Sequence, residues 1–260
     1  MKQYNACISL HGAQISELDI IHNTGNYADS PSRIKQFDKV DDKYQRGLFV
    51  DHLFSLEEFA EYKKGIPTGS GIFSQTIFRQ TDFDAHRHEI NLMGSGAFSS
   101  IQAKVTLVKK YIAKSGSLTV QYILKNESPF DLKGVFVVES NYAQTDFSSV
   151  KANSYKVELV SNDEAGEIDA KDSPRSVKKV SYMQITDTSN DILFGYEPNE
   201  ICDIVCLPII FRRPSVGSDL PTISGNAFVA SLCWNIELLA GKEIEKNITY
   251  SITVPKKKRK

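Results

Sequence analysis

Two adjacent side chains that can exchange a proton, Asp51 and His52, follow a short apolar run that predicts a β-strand. A carboxylate beside an imidazole can act as base and acid, or can hold two elements together by hydrogen bonds. The next residues predict a helix over 55–64, because Ser55 and Glu58 have the spacing of a capping box. Two alternatives stay open: Asp51 accepts hydrogen bonds from the first amides of that helix as a structural latch, or the pair faces a cavity or a partner.

A second group of candidates consists of two histidines and two residues at the end of an apolar run. His86 and His88 are two positions apart, so on a strand they would share a face where nearby carboxylates could complete a metal site. A polar loop is the preferred interpretation, and no metal is predicted. Glu139 and Asn141 follow residues 135–138, which predict a strand buried on both faces, and a carboxylate placed there needs hydrogen-bond partners.

The only tryptophan, Trp234, lies in a predicted strand. A buried tryptophan is usually part of the core, whereas an exposed one can stack on the apolar face of a pyranose ring. The cysteines at positions 7, 202, 206 and 233 have no neighbouring ligands that would complete a zinc site, and they are predicted to be buried free thiols. No cofactor is predicted, because the chain shows none of the common phosphate-loop or catalytic motifs.

Composition argues against several broad functions. The chain has 31 basic and 32 acidic residues, and its net charge of −1 gives no electrostatic basis for binding nucleic acid or an anionic membrane. No apolar run reaches the roughly 18 residues of a transmembrane helix, and the first residues do not form a signal peptide. A cytoplasmic protein without nucleic-acid or membrane partners is therefore expected.

The elements that must position these candidates are mostly strands. Alternation of apolar and polar residues is clearest over 101–124, and another strand is predicted over 71–79. Residues 22–46 are mostly polar and predict a long surface loop. We expect one domain over 1–254, an all-β antiparallel sandwich with one principal short helix, followed by a solvated basic tail at 255–260.

Several stretches resemble one known domain in their order and spacing. They are Gly12–Asp19, Asn26–Arg33, Phe49–Phe54, Lys109–Tyr111, Gly116–Tyr122, Asn126 and Val137–Asn141. Over nearly its whole length the chain resembles the C-terminal domain of the α-amylase and 4-α-glucanotransferase enzymes of glycoside hydrolase family 57. The Val-Asp-His and Val-Glu-x-Asn elements carry the specificity, since alternating strands occur in many β proteins.

The resemblance implies an antiparallel supersandwich like that of galactose mutarotase. In that family the catalytic machinery lies on a separate N-terminal (β/α) barrel, which would be the partner of this domain in an enzyme acting on α-glucan. The resemblance therefore implies a non-catalytic domain with no catalytic residue of its own. The candidates for carbohydrate binding or domain docking are then Asp51, His52, His86, His88, Glu139, Asn141 and Trp234.

Two other functions stay open. A stand-alone sugar mutarotase or epimerase would need a carboxylate base and a histidine acid in one concave site, and the pairing on offer is Glu139 with His86 or His88. A protein-interaction module without a sugar site would use the polar segment 22–46. The position of Glu139 relative to the histidines distinguishes these alternatives.

Overall fold

The computed structural model describes residues 3–38, 40–66, 71–99, 101–143, 155–161, 165–168, 173–215 and 217–255. The helical elements of these residues are α1 (Lys35–Asp38), α2 (Leu56–Tyr62) and a 3₁₀ helix at Phe73–Gln75. The strands are β1 (Tyr4–Ile8), β2 (Ile15–Ile20), β3 (Gly25–Asn26), β4 (Val50–Phe54), β5 (Arg79–Asp84), β6 (Glu89–Phe98), β7 (Ala103–Lys114), β8 (Ser117–Asn126), β9 (Leu132–Ala143), β10 (Tyr155–Ser161), β11 (Ala165–Ile168), β12 (Arg175–Asp187), β13 (Ile192–Pro198), β14 (Cys202–Ser215), β15 (Ser218–Leu238) and β16 (Glu243–Thr253). Strands dominate, and the all-β prediction is confirmed.

The strands form a small and a large sheet. The small sheet has the order β1-β2-β3, and the large one follows β4-β9-β15-β14-β12-β13-β16-β8-β7-β6-β5, with β10 joined to β12 and β11 to β10. The pairings along this path are antiparallel. Antiparallel neighbours can be joined by short turns, which is why alternating runs separated by turn residues predict this arrangement.

The large sheet folds over itself into two layers with the main core between them. The hydroxyl group of Tyr142 on β9 makes hydrogen bonds of 2.6 and 3.0 Å with those of Tyr196 on β13 and Tyr250 on β16. The ring of Phe49, just before β4, meets Tyr111 of β7 and Tyr250 edge to face. Strands that are distant in the sheet order therefore face each other, as the predicted sandwich requires.

Strand β9 is buried on both faces, as the apolar run 135–138 predicts. One face of this run belongs to the main core, and the other packs in a second apolar cluster with Phe59 and Tyr62 of α2. We call this second side the outer face. The capping box of α2 is also confirmed, since Glu58 N donates to Ser55 Oγ at 3.2 Å and Ser55 N donates to the Glu58 carboxylate at 2.8 Å.

The predicted strand over 71–79 is wrong. A 3₁₀ helix occupies Phe73–Gln75, and β5 begins only at Arg79. Phe73 and Phe78 are both buried, although a continuous strand would direct side chains five positions apart to opposite faces. The helical turn brings both rings into the same core, and a short apolar run does not reveal such a turn.

The polar segment 22–46 is not simply a surface loop, and that expectation is also wrong. It contains β3 and α1, and Tyr27 and Ala28 within it are fully buried. Arg46, at its end, is only 4% exposed. The segment can be polar and buried because its charged groups pair with one another, as described below.

Three further predictions can be compared with the structure. Among the described residues, no helix combines the length and apolar character needed to cross a bilayer. Cys202, Cys206 and Cys233 are buried free thiols, but Cys7 lies on an exposed part of the edge strand β1, so the prediction is wrong for Cys7. The predicted basic tail, apart from Pro255, lies outside the described residues, and the domain boundary at residue 254 stays a prediction.

Candidate functional site

Strands β4 and β9 place the candidate residues on two opposite faces of one layer. In their register Val50 lies opposite Glu139, and His52 lies opposite Val137. Paired residues share a face and successive residues alternate, so His52 and Glu139 are on the outer face and Asp51 points into the main core. The adjacent residues Asp51 and His52 therefore belong to separate sites.

The first site, which we call the outer cluster, consists of Glu139 and the side chains around its carboxylate: Tyr44, Arg46, His52, Tyr62 and Asn141. Tyr44 OH donates to both carboxylate oxygens, at 3.0 and 2.9 Å. Tyr62 OH donates to Oε2 at 2.7 Å, and Asn141 Nδ2 donates to Oε1 at 2.8 Å. His52 Nε2 lies 3.4 Å from Oε2. The structure therefore brings together three predicted residues, His52, Glu139 and Asn141.

Arg46 connects the outer cluster to the preceding segment. Its guanidinium donates to both oxygens of Asp42 at 2.7 Å and to Asn141 Oδ1 at 2.6 Å, and its Nη1 lies 3.8 Å from Glu139 Oε1. Arg33 adds a bond of 2.8 Å to the same Asp42 carboxylate. Burial raises the pKa of Asp42, but the bonds and charges of Arg46 and Arg33 outweigh burial and lower it. Two guanidinium groups thus balance two carboxylates.

The Glu139 carboxylate is held as a fixed anion. Burial alone would raise the pKa of Glu139, but the neighbouring imidazole of His52, the charge of Arg46 and the hydrogen bond from Asn141 lower it to about 2. The hydroxyl group of Tyr44 is shared between the two oxygens, Tyr62 OH donates to Oε2 and Asn141 Nδ2 donates to Oε1, so both oxygens are engaged by this chain's own side chains. A general base needs a lone pair within reach of the proton that it removes, and this arrangement leaves no such position for a sugar.

The outer cluster is also closed. Glu139 and His52 are each 1% exposed. The cleft beside Tyr44 and Glu139 has a volume of about 20 Å³, which is enough for one water molecule, whereas ligand pockets usually measure about 300–1,000 Å³. The backbone of Gly71 packs so closely against the imidazole that a Cβ atom built on it would lie 2.1 Å from His52 Nδ1.

The second site, which we call the inner pair, is Asp51 with Lys109 of β7. Lys109 Nζ donates to Asp51 Oδ2 at 2.7 Å and to the carbonyl oxygen of Phe49 at 2.5 Å, and both charged side chains are fully buried. The rings of Tyr111 and Tyr122 lie 5.1 and 5.3 Å from the ammonium. Burial raises the pKa of Asp51 to about 6, although Lys109 lowers it, and burial lowers the pKa of Lys109 although Asp51 raises it.

Neither of the two alternatives for Asp51, the helix latch or the pair facing a cavity, agrees with the structure. The latch is wrong, because the α2 cap is supplied by Ser55 and Glu58, and Asp51 instead accepts a hydrogen bond from Lys109 across the core. A pair facing a cavity is also wrong, because Asp51 is fully buried and His52 is 1% exposed. A charged group in this core needs a charged partner, and the partner comes from the opposite layer rather than from the next element.

His86 and His88 lie elsewhere. They do not share a strand face, since both are exposed in the turn between β5 and β6, where His86 N donates to Asp84 Oδ1 at 2.9 Å. Neither histidine contacts Glu139 in the described structure, so the pairing considered for a mutarotase is not formed. The described residues contain no group of three or more side chains able to hold a metal ion.

Trp234 is a core residue. It is 4% exposed, its ring stacks on Phe136 with centroids 6.1 Å apart, and its Nε1 donates to the carbonyl oxygen of Glu200 at 3.4 Å. A ring that is packed on a neighbour and buried cannot offer a face to a sugar. Of the two alternatives for Trp234, a core residue or an exposed sugar-stacking ring, the structure shows the core residue.

Four side chains of the two sites are not among the candidates predicted from the sequence: Tyr44, Arg46, Tyr62 and Lys109. For Lys109 a signal exists, because it occupies the same strand face as the buried residues Leu107 and Tyr111. A lysine at an apolar position of an alternating strand indicates a buried charge that needs a partner. For Arg46 the signal is weaker and consists of Asp42 four positions earlier.

The comparison with known families bears on the whole region just described. Residues 34–210 match the model of the family described as alpha-amylase/4-alpha-glucanotransferase, C-terminal. The chain belongs to this family. The matched residues of this amylase/glucanotransferase C-terminal domain include the outer cluster and the inner pair. No curated protein matches the chain.

Solved structures show the same fold in proteins of two kinds. The 4-alpha-glucanotransferase from Thermococcus litoralis matches with a TM-score of 0.70 and 17% identity, over 96% of this chain and 36% of that enzyme. A galactose mutarotase related enzyme from Lactobacillus acidophilus matches with a TM-score of 0.67 and 10% identity, over 100% of this chain and 98% of that protein. A galactose mutarotase-like protein from Lactobacillus casei gives 0.64 and 12%, over 97% and 98%. The galactose-mutarotase-like fold is thus confirmed for this C-terminal domain, which spans about a third of the glucanotransferase.

Proposed function

We propose that the chain is the non-catalytic C-terminal β-sandwich domain of an α-glucan-active enzyme of the glycoside hydrolase family 57 type. It packs on a catalytic (β/α) barrel and contacts glucan, and we place it in the cytoplasm. The observation that carries the proposal is the family match over residues 34–210, together with a fold that spans 36% of a 4-alpha-glucanotransferase. We place the catalytic residues in the remaining two thirds of such an enzyme.

The outer cluster supports a non-catalytic role. A mutarotase-type reaction needs a carboxylate that can approach a sugar hydroxyl group, but both oxygens of Glu139 are already engaged by Tyr44, Tyr62 and Asn141 and the group is buried. The adjoining cleft of about 20 Å³ is too small for a pyranose ring. The cluster instead fastens α2 and the end of segment 22–46 to the outer face of β9.

A mutarotase or epimerase remains the second candidate because of one contact. His52 Nε2 lies 3.4 Å from Glu139 Oε2, so an imidazole and a carboxylate do meet, although not the histidines considered from sequence. For this candidate to act, α2 would have to leave the outer face and expose the pair. The interaction module is less favoured, because three charged side chains of segment 22–46, those of Asp38, Asp42 and Arg46, are buried within the fold.

The experiment that tests the proposal combines the native gene with two assays. We expect the gene or its neighbour to encode a (β/α) barrel, and we expect glucan transfer to require that barrel. The purified 260-residue chain alone should release no glucose from maltoheptaose and should not accelerate mutarotation of α-glucose or α-galactose. Acceleration of mutarotation that is abolished by Glu139→Gln would establish the second candidate instead.

A further inference from the structure

An open groove runs between the edge strand β1 and the β5–β7 part of the large sheet. It has two adjoining parts of about 420 and 430 Å³, each within the range of ligand pockets. Ala6, Ile8, His88 and Ile90 line both parts, so the two form one continuous surface. We call it the β1 groove.

The β1 groove combines an apolar floor with polar side chains and one exposed ring. Ile8 and Ile90 pack on the main core and form part of its floor. Asn5 and Lys114 line one end. Phe83 lines the other end, where its side chain is 59% exposed. An aromatic face can stack on a pyranose ring, and nearby amide and ammonium groups can donate to its hydroxyl groups.

His88 occupies the middle of the groove and is held there by its backbone. Its carbonyl oxygen accepts a hydrogen bond of 3.0 Å from Ala113 N on β7, and its φ of +54° turns the chain from β5 into β6. The anchored backbone leaves the imidazole exposed on the wall shared by both parts of the groove. The neighbouring His86 is exposed in the same turn but lines neither part.

We propose that the β1 groove binds a linear α-1,4-linked gluco-oligosaccharide. Phe83 stacks on one sugar ring, and His88 and Asn5 bond to hydroxyl groups along the groove. The choice of an α-glucan rests on the proposed function, whereas the preference for a neutral ligand comes from the groove. Its acidic residue, Glu89, is paired with Lys110, and the ammonium of Lys114 at one end is the only other charged group among the described residues of its lining, so no cluster of like charges selects an ionic ligand.

The other candidate positions cannot accept this ligand. The outer cluster has room for one water molecule, and Trp234 is packed against Phe136. Among the residues considered from sequence, His88 is therefore the one placed on an open surface large enough for several sugar units. A glucan held there would contact the domain without entering its core.

Maltoheptaose binding to the full chain tests the inference. We expect the wild type to bind in an isothermal titration, and we expect Phe83→Ala and His88→Ala each to weaken binding by about tenfold, the effect of losing one stacking or hydrogen-bonding partner. Two matched controls should bind as the wild type does: His86→Ala, in the same turn but outside the groove, and Phe130→Ala, whose ring is 54% exposed at another turn. Thermal unfolding of all four variants checks that the fold is kept.

Three outcomes of the titration would overturn the groove assignment. They are no binding by the wild type, binding that survives both groove variants, and equal weakening by the control variants. A groove that is instead protected from hydrogen exchange only by a catalytic barrel would be a protein-docking face and would also overturn it. The absence of any binding would also count against the glucan contact in the proposed function. The role as the non-catalytic domain of a barrel enzyme is decided separately, by the gene and by the barrel-dependent transfer assay.

Discussion

At the scale of single residues, the inner pair places two opposite charges in a core that excludes water. Asp51→Ala would leave the ammonium of Lys109 buried without its carboxylate, and breaking such a pair typically costs about 3–5 kcal/mol. The loss of a helix cap would cost only about 1 kcal/mol. We expect urea unfolding to show the larger loss. Glu237→Ala on β15 removes one member of an exposed pair with Lys133 and should change stability little.

The double variant Asp51→Leu/Lys109→Met separates charge from packing. Replacing both members of a buried pair by apolar residues is often neutral or stabilising, because the desolvation cost of both charges disappears. We expect it to regain most of the stability lost in Asp51→Ala. A double variant as unstable as the single one would show that the charges themselves are required.

Sequence patterns reach part of this residue-scale arrangement. The carboxylate of Glu139 is predicted to need hydrogen-bond partners, and Asn141, two positions later, is one of them at 2.8 Å. Their partners Tyr44 and Arg46 come from a distant polar segment whose path no periodicity reveals. Asp51 and its neighbour were expected to form one site, but strand alternation directs them to opposite faces.

At the scale of elements, Gly71 decides how closely the segment before β5 approaches β4. A Cβ at this position would lie 2.1 Å from His52 Nδ1, and that imidazole stacks on Phe54 with centroids 4.9 Å apart. Because the ring is held on both sides, Gly71→Ala should destabilise the fold by about 1–3 kcal/mol, the usual cost of overpacking. Urea unfolding measures this loss.

Gly166→Ala is the matched control, because nothing lies within 4 Å of a Cβ built on Gly166 in β11. It should unfold at nearly the wild-type urea concentration. Equal stability of both alanine variants would mean that the His52 ring can move aside. The outer face would then be less rigid than its hydrogen bonds indicate.

An element can be predicted from the sequence when the residues that determine it lie within that element. Helix α2 can be predicted because Ser55 and Glu58 carry the capping information locally. The long strands can be predicted because alternation repeats over many residues. The 3₁₀ turn at Phe73–Gln75 and the buried course of segment 22–46 cannot, since both depend on contacts with residues remote in sequence.

At the scale of the whole molecule, three buried carboxylates govern the dependence of stability on pH. The pKa of Glu139 is lowered to about 2 and that of Asp42 is also lowered, so their contribution is complete above the unfolded pKa of about 4 and is lost as the pH falls. Asp51 acts in the opposite direction. Its pKa of about 6 means that protonation favours the folded state between about pH 6 and pH 4.

We therefore expect the free energy of unfolding to rise by about 1 kcal/mol from pH 7 to pH 5, as Asp51 takes up its proton, and to fall steeply from pH 4 to pH 2.5. The slope contributed by each lowered carboxylate is about 1.4 kcal/mol per pH unit. Glu139→Gln removes one titrating group and should make the acid limb shallower by that amount, while Glu237→Gln, on an exposed strand position, should leave it unchanged. Urea unfolding at a series of pH values gives both slopes. An acid limb equally steep in Glu139→Gln and the wild type would show that the Glu139 charge does not stabilise the fold.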